Sequence, residues 1–247
     1  MKQDELKLAI VTGAAGVLGE AITRDLLRDH YRVVLLDVEA DRLETLAQEL
    51  GDAAIPRVCD IRDSHAVSVV VAELEQDFCG VSVLVNNAGV LSNDKLESSS
   101  DEEWRRILSI NLDGAFYLSR ACLPGMKARG WGRIVNMCSL AMKIGGLTAG
   151  TAYTTSKGAM AALTLSVARE TTGFGVTVNG IAPAYVRTPM VMNQLTEAQR
   201  TALLQQIPVG RFCEPEEVAH VVNFLVSPLA GFITGEIVDI NGGLEMG

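Results

Sequence analysis

Histidine is scarce in this 247-residue sequence. His30, His65 and His220 stand alone, and none belongs to an H-E-x-x-H or similar ligand set, so no metal site is expected. The five cysteines, Cys59, Cys79, Cys122, Cys138 and Cys213, are odd in number and contain no C-x-x-C pair. They read as reduced, buried thiols rather than a disulfide framework or a metal knuckle. Basic residues are in deficit, 21 Lys+Arg against 30 Asp+Glu, for a net charge of −9. That excludes the basic stripe a duplex nucleic-acid binder needs and opposes docking on an anionic membrane. No apolar run approaches the ~18 residues of a membrane span. The segment Met1–Lys7 is polar and lacks the apolar core of a secretory signal, so a soluble, cytoplasmic protein is expected. No Pro/Gly/Ser linker and no internal repeat divides the chain. The expectation is one domain spanning 1–247, long enough to bury roughly three-quarters of its unfolded surface without covalent staples.

What is present is alternation. Leu8–Val11, Arg32–Asp37, Ala54–Val58, Val83–Val85, Gly132–Met137, Val176–Ile181 and Glu236–Ile240 are short, nearly continuous apolar runs. Strands covered on both faces read this way. Between them the pattern predicts helices over Val17–Asp29, Glu39–Leu50, Ser64–Asp77, Asp101–Asn111, Leu112–Arg129, Ala152–Gly173 and Pro215–Ser227. Ser100 with Glu103 reads as a capping box, and Pro215 after Glu214 as a helix start. The fold class is therefore α/β, a doubly wound parallel sheet of Rossmann type with helices on both faces. Ala184–Cys213 departs from the alternation. It holds Pro189 and Pro208 with one helical pattern near Glu197–Gln206, and a loop this long reads as a substrate lid.

The first strand runs into Thr12-Gly13-Ala14-Ala15-Gly16-Val17-Leu18-Gly19 and then a helix. Gly13, Gly16 and Gly19 allow the backbone, with Val17 and Leu18, to approach a pyrophosphate at the helix's positive end. Asp37 ends the second strand, 18 residues past Gly19. A carboxylate there accepts hydrogen bonds from the adenosine ribose and repels a 2′-phosphate, which predicts NAD(H) over NADP(H). Asp37 also stands where it can cap the next helix, and the two roles are compatible. Tyr153 and Lys157, four residues apart at the start of a helical stretch, share one helix face. An ammonium near the phenol favours phenolate and brings the proton transfer toward neutral pH.

At this point the sequence resembles the short-chain dehydrogenase/reductase family, over nearly its whole length. The likeness rests on five marks in order: Gly13/Gly19, Asn86-Asn87-Ala88-Gly89, Asn111, Ser139 and Tyr153/Lys157. The resemblance implies a catalytic set of Asn111, Ser139, Tyr153 and Lys157. Tyr153 would exchange the proton, Ser139 would hold the substrate oxygen, and Lys157 would tune Tyr153 and bind the nicotinamide ribose. Asn111 would hold a water leading from Lys157 to solvent. Asn86–Gly89 would steady the central sheet beside the cofactor, with Asn87, Ala88 and Gly89 among the cofactor-binding residues. Asp60 and Ile61 match positions that contact adenine, and Val186 and Thr188 the stretch that anchors the carboxamide. The implied activity is hydride transfer between NAD(H) and a small or medium secondary alcohol or ketone, in a homotetramer. A 3-oxoacyl thioester reductase and a non-catalytic nucleotide-sensing protein are the alternatives. The family likeness also admits sugar, polyol and hydroxysteroid substrates.

Two departures are visible. The usual turn is T-G-x-x-x-G-x-G, whereas here Val17 takes the middle glycine's place and Gly16 comes one step earlier. Ala184 replaces the glycine that often follows Pro183, placing a methyl on the nicotinamide side of the pocket. The substrate wall is expected from Leu140–Gly150, the lid and Gly242–Gly247. Met142, Ile144, Leu147, Met190, Met192 and Leu195 should make it largely apolar. Lys143 and Arg187 are candidate contacts for an anionic group.

Overall fold

The computed structural model describes residues 7–193 and 195–246. Seven strands form one sheet: β1 (Leu8–Thr12), β2 (Arg32–Asp37), β3 (Ala54–Val58), β4 (Val81–Asn86), β5 (Gly132–Met137), β6 (Val176–Pro183) and β7 (Ile237–Ile240). Their order is β3-β2-β1-β4-β5-β6-β7, and every pairing is parallel. The helices are α1 (Val17–Arg28), α2 (Ala40–Leu50), α3 (Ser64–Asp77), α4 (Asp101–Leu108), α5 (Gly114–Arg129), α6 (Ala141–Ile144), α7 (Thr151–Thr171), α8 (Pro189–Met192), α9 (Glu197–Gln206) and α10 (Pro215–Val226).

Alternate side chains of each strand serve opposite faces. Val11, Val33, Leu35 and Val85 meet Ile22 and Leu26 of α1, Leu43 of α2 and Val222 of α10. Ile10, Val34, Leu84 and Ile134 meet Val71 of α3 and Leu118 of α5 on the other face. Every residue of β1, β5 and β6 is buried. The chain winds outward from β1 to β3, then returns to place β4 on β1's other side. This reversal opens a crevice at the carboxyl ends of β1 and β4, the position where such sheets bind ligands.

Three local differences from the predicted pattern have physical causes. The helices predicted over Asp101–Asn111 and Leu112–Arg129 are one continuous path, joined by a π turn at Ser109–Asp113. A π turn inserts an extra residue and shifts the apolar phase, so the periodicity reads as two helices. The capping box at Ser100 is half formed: its hydroxyl accepts from the Glu103 N–H at 3.1 Å, but the Glu103 carboxylate binds Arg106 at 2.7 and 2.9 Å instead. Helices α6 and α8 have only four residues each, too few to show a period. The stretch predicted as a lid carries α8 and α9, which pack on a small cluster of Leu195, Leu203, Ile207 and Phe212. Cys59, Cys122 and Cys138 are buried thiols, as expected, whereas Cys213 is half-buried and Cys79 exposed. No helix among the described residues is long and apolar enough to cross a membrane.

Candidate active site

The glycine turn follows β1. Gly13 has φ +64°, a left-handed conformation, and a Cβ there would lie 2.9 Å from Ala88 Cα. A Cβ on Gly19 would run into the Gly13 carbonyl oxygen. Gly16, by contrast, is the extended N-cap of α1 and offers its first turn no side-chain cap. Val17 is simply the first helical residue, so the shifted glycine imposes no backbone strain. The N-terminal N–H groups of α1, among them those of Val17, Leu18 and Gly19, thus face the crevice with the helix's partial positive charge.

Thr12 ties this turn to the next strand. Its hydroxyl accepts from the N–H groups of Asn87 (3.0 Å) and Ala88 (2.9 Å), while Asn87 Nδ2 donates to the Thr12 and Gly13 carbonyls at 2.9 and 3.3 Å. Asn86 points away, donating to Ser119 Oγ and Asn136 Oδ1 within the core. Asp37 is held from both sides. Its Oδ2 accepts from the Ala15 N–H at 3.0 Å, and its Oδ1 from those of Val38 and Glu39 at 2.7 and 3.3 Å. One carboxylate therefore links the glycine turn to the approach to α2. Asp60 is differently placed: Arg62 grips its carboxylate in a fork at 2.9 and 2.6 Å and holds it below the usual carboxylate range. Ile61 is buried against α5 at Gly114.

The predicted catalytic residues converge at the ends of β4 and β5. Ser139 follows β5 and is 8% exposed; its hydroxyl accepts from the Ala141 N–H at 3.2 Å and is hydrogen-bonded to Tyr153. Tyr153 and Lys157 sit in the first turns of α7, whose start is pinned by the loop after β4. Gly150 N donates to Ser92 O (2.7 Å) and Thr151 N to Asp94 O (3.0 Å). Lys95 Nζ reaches the Gly146 and Ala149 carbonyls at 2.9 and 2.6 Å. These loop contacts join distant backbone atoms and leave no sequence signal.

Lys157 is 3% exposed, donates to the Met137 carbonyl at 2.6 Å and lies 5.7 Å from the Tyr153 ring centroid. Burial lowers its ammonium to about 8. Tyr153 differs from the expected activation: burial pushes its phenol above the usual value, and only the Ser139 hydrogen bond pulls it back. The lysine is itself desolvated, so its charge does not dominate the phenol. Asn111 lies in the π turn. Its Oδ1 accepts from Val90 N (2.8 Å), and its Nδ2 donates to Val90 O (2.9 Å) and Ser156 Oγ (3.1 Å). The side-chain amide is thereby bonded to protein on both its oxygen and its nitrogen. A Cβ on Gly89 would stand 3.4 Å from Asn111 Oδ1 and 3.5 Å from Lys157 Nζ, so Gly89 leaves room between cofactor crevice and lysine.

Ser139 and Tyr153 open on a cavity of about 330 Å³. Leu140, Ala141, Ile144, Leu147, Val191 and Leu195 supply apolar walls, and Asn93, Thr148, Tyr185 and Gln199 supply polar ones. The wall is less apolar than expected: Met142, Met190 and Met192 do not line it. Ala184 does, whereas Asn241 and Gly242 line a smaller neighbouring cavity of about 160 Å³. Lys143 and Arg187 correct the sequence reading. Lys143 pairs with Asp239 at 2.5 Å and Arg187 with Glu214 at 2.8 Å, so neither offers a free cation to a substrate anion. Val186 is buried and bridges to Cys213, and Thr188 caps α8, its hydroxyl accepting from Val191 N.

The geometry has relatives. A family model described as enoyl-(acyl carrier protein) reductase matches residues 13–245. The 3-oxoacyl-[acyl-carrier-protein] reductase FabG of Vibrio cholerae is 37% identical over 243 residues, covering 98% of each chain. Galactitol 2-dehydrogenase (L-tagatose-forming) of Cereibacter sphaeroides is 41% identical over 240 residues, 95% of this chain and 93% of that one. A crystal structure of a short-chain dehydrogenase/reductase, SDR:glucose/ribitol dehydrogenase, from Brucella melitensis superposes over 100% of both chains with a TM-score of 0.91 and 33% identity. The chain belongs to the short-chain dehydrogenase/reductase family. It is an oxidoreductase of a family that works with a nicotinamide cofactor.

Proposed function

We propose that the protein, acting as one unit over 1–247, interconverts a secondary alcohol and its ketone with NAD(H). The carrying observation is that Ser139 and Tyr153 line one cavity with Lys157 buried beside the Tyr153 ring, while Asp37 is bonded to the glycine turn after β1. The residues fit the cofactor: α1 presents its uncapped N–H groups, Asp37 at the end of β2 is bonded to the glycine turn and would meet the ribose, and Gly89 leaves a gap before Lys157. Gly13, Gly16, Val17, Leu18 and Gly19 would hold the pyrophosphate. Asp60 and Ile61 would flank adenine, Asn87 to Gly89 the central part, and Val186 and Thr188 the carboxamide. The cofactor supplies the hydride acceptor. In oxidation Tyr153 gives up its phenolic proton through the neighbouring Lys157 amine, which passes it outward beside Asn111, and then takes the substrate hydroxyl proton while Ser139 holds that oxygen.

Asp37 supports NAD(H). A 2′-phosphate ~4 Å from its carboxylate would cost on the order of 4 kcal/mol per unit charge at an effective dielectric of ~20. The adjoining Ala14, Ala15 and Val38 supply no cation. The cavity lining contains no charged side chain among the described residues, which supports a neutral substrate. The 3-oxoacyl thioester reductase reading is favoured by the relatives bearing that name. A nucleotide sensor would leave the intact Ser139–Tyr153 pair without a use. Localisation in the cytoplasm and assembly as a homotetramer complete the reading. Leu229 and Phe232 are almost fully exposed in the single chain, at 96% and 102%, near β7 at the sheet's edge.

The decisive experiment measures NAD+ and NADP+ reduction with acyclic, cyclic and polyol alcohols and 3-hydroxyacyl thioesters. Turnover of neutral alcohols with NAD+ is expected, and Asp37→Ser should shift preference toward NADP+. Turnover of thioesters alone, or equal use of both cofactors by the unmutated protein, would count against this reading.

A further inference from the structure

The lining of the 330 Å³ cavity includes two residues whose hydroxyls the proton transfer does not use, Tyr185 and Thr148. Tyr185 follows β6 and is fixed in direction. Ala184 N donates to Ile240 O and Cys213 N to Tyr185 O, both at 3.0 Å, which clamps the backbone on each side. The ring meets Phe212 edge-on, with centroids 6.2 Å apart. Thr148 comes from the loop between α6 and α7, and its Oγ1 stands 3.5 Å from the Tyr185 hydroxyl.

That separation is longer than the ~2.5–3.0 Å of a well-made O–H···O bond. The two hydroxyls can donate two protons and accept through several lone pairs, and satisfy little of that capacity on each other. An oxygen placed beside both can accept from one and donate to the other. A carboxylate or phosphate is disfavoured there because Lys143 and Arg187 are already neutralised by Asp239 and Glu214. The group that suits the pair is neutral and both donates and accepts: a hydroxyl. Leu147, Val191 and Leu195 line the same cavity and suit the carbon chain between such a hydroxyl and the reacting carbon.

We propose that Tyr185 and Thr148 form a specificity site for a second hydroxyl of the substrate, so that diols and hydroxy ketones are preferred over monofunctional alcohols and ketones. This rests on the alcohol–ketone reading above. A site built to bond a substrate hydroxyl discriminates against an analogue lacking it, because its own polar groups are then enclosed without partners.

The test compares 2-hexanol with 2,3-, 2,4- and 2,5-hexanediol, using NAD+ and NADP+, for the unmutated protein, Tyr185→Phe and Thr148→Val. Thermal melts and NADH binding establish that each variant is folded. At least one diol should exceed 2-hexanol by ~10-fold or more in kcat/KM, mostly through KM. That ratio should fall to within ~3-fold in Tyr185→Phe and to an intermediate value in Thr148→Val. Equal oxidation of all four alcohols, or a diol preference that survives both substitutions, would overturn the specificity site and leave the dehydrogenase reading standing. Failure to oxidise any of the four would overturn the alcohol–ketone reading and the site with it.

Discussion

Tyr153 and Lys157 are ionisable groups that the protein has buried, and burial disfavours the charged form of each. The phenol is pushed up and the ammonium down to about 8, so Lys157 gives up its proton before Tyr153 does. Removing the phenolic oxygen should leave the pocket shape intact and remove the acid/base group. Tyr153→Phe is expected to lower turnover ~10²-fold or more while NADH binding, followed by fluorescence, persists. Near-normal turnover would refute the role. The lysine makes a stability prediction of definite sign. Its proton is bound more tightly in the unfolded chain, at 10.5, than in the fold, at about 8. Below the folded value the buried charge therefore destabilises fully, and the penalty fades as pH rises through that window. Lys157→Met should raise the thermal midpoint of the cofactor-free protein at pH 7 by ~2–4 °C. The gap to the unmutated protein should close between pH 8 and 10.5. A variant less stable at every pH would show that the hydrogen bond to Met137 outweighs the buried charge.

The turn between β1 and α1 separates two kinds of glycine. Gly19 is a packing requirement, since any side chain there meets the Gly13 carbonyl. Gly16 is an N-cap with ordinary dihedral angles, and Val17 opens the helix without strain. Gly19→Ala is therefore expected to weaken NADH binding by ~10-fold or more and to lower the melting temperature, because displacing the turn costs on the order of 1–3 kcal/mol. Val17→Gly, which restores the usual motif, should cost up to ~1 kcal/mol of stability through helix propensity and change NADH affinity by less than ~3-fold. A marked gain in affinity with Val17→Gly would mean that the valine side chain obstructs the phosphates. The π turn acts at the same scale. By placing an extra residue between α4 and α5 it turns Asn111 inward, where its amide joins Val90 after β4 to Ser156 on α7.

Across the whole molecule, acidic excess and a seven-stranded parallel sheet leave two edges, β3 and β7. Monomers seldom leave large apolar side chains fully exposed beside a free strand edge. Leu229 and Phe232 lie just before β7, and Phe116 and Leu165 are exposed on α5 and α7. Light scattering should report four chains per particle, and Leu229→Asp with Phe232→Asp should shift the protein to smaller species. A monomeric mass for the unmutated protein would refute the proposed tetramer.

The sequence by itself determined the layered architecture, because continuous apolar runs and amphipathic stretches alternate with the periods that strands and helices require. It also specified the glycine turn, Asp37 and the order of Ser139, Tyr153 and Lys157, since each belongs to a short local pattern. The tertiary structure alone decided that Lys143 and Arg187 are spent, because their partners lie 96 and 27 residues away. It likewise decided that the phenol rises rather than falls, and that the Thr148 and Tyr185 hydroxyls come together on the lining of a cavity without charged side chains. Local spacing encodes backbone periodicity and neighbouring side chains, whereas burial and long-range pairing exist only once distant segments share one volume.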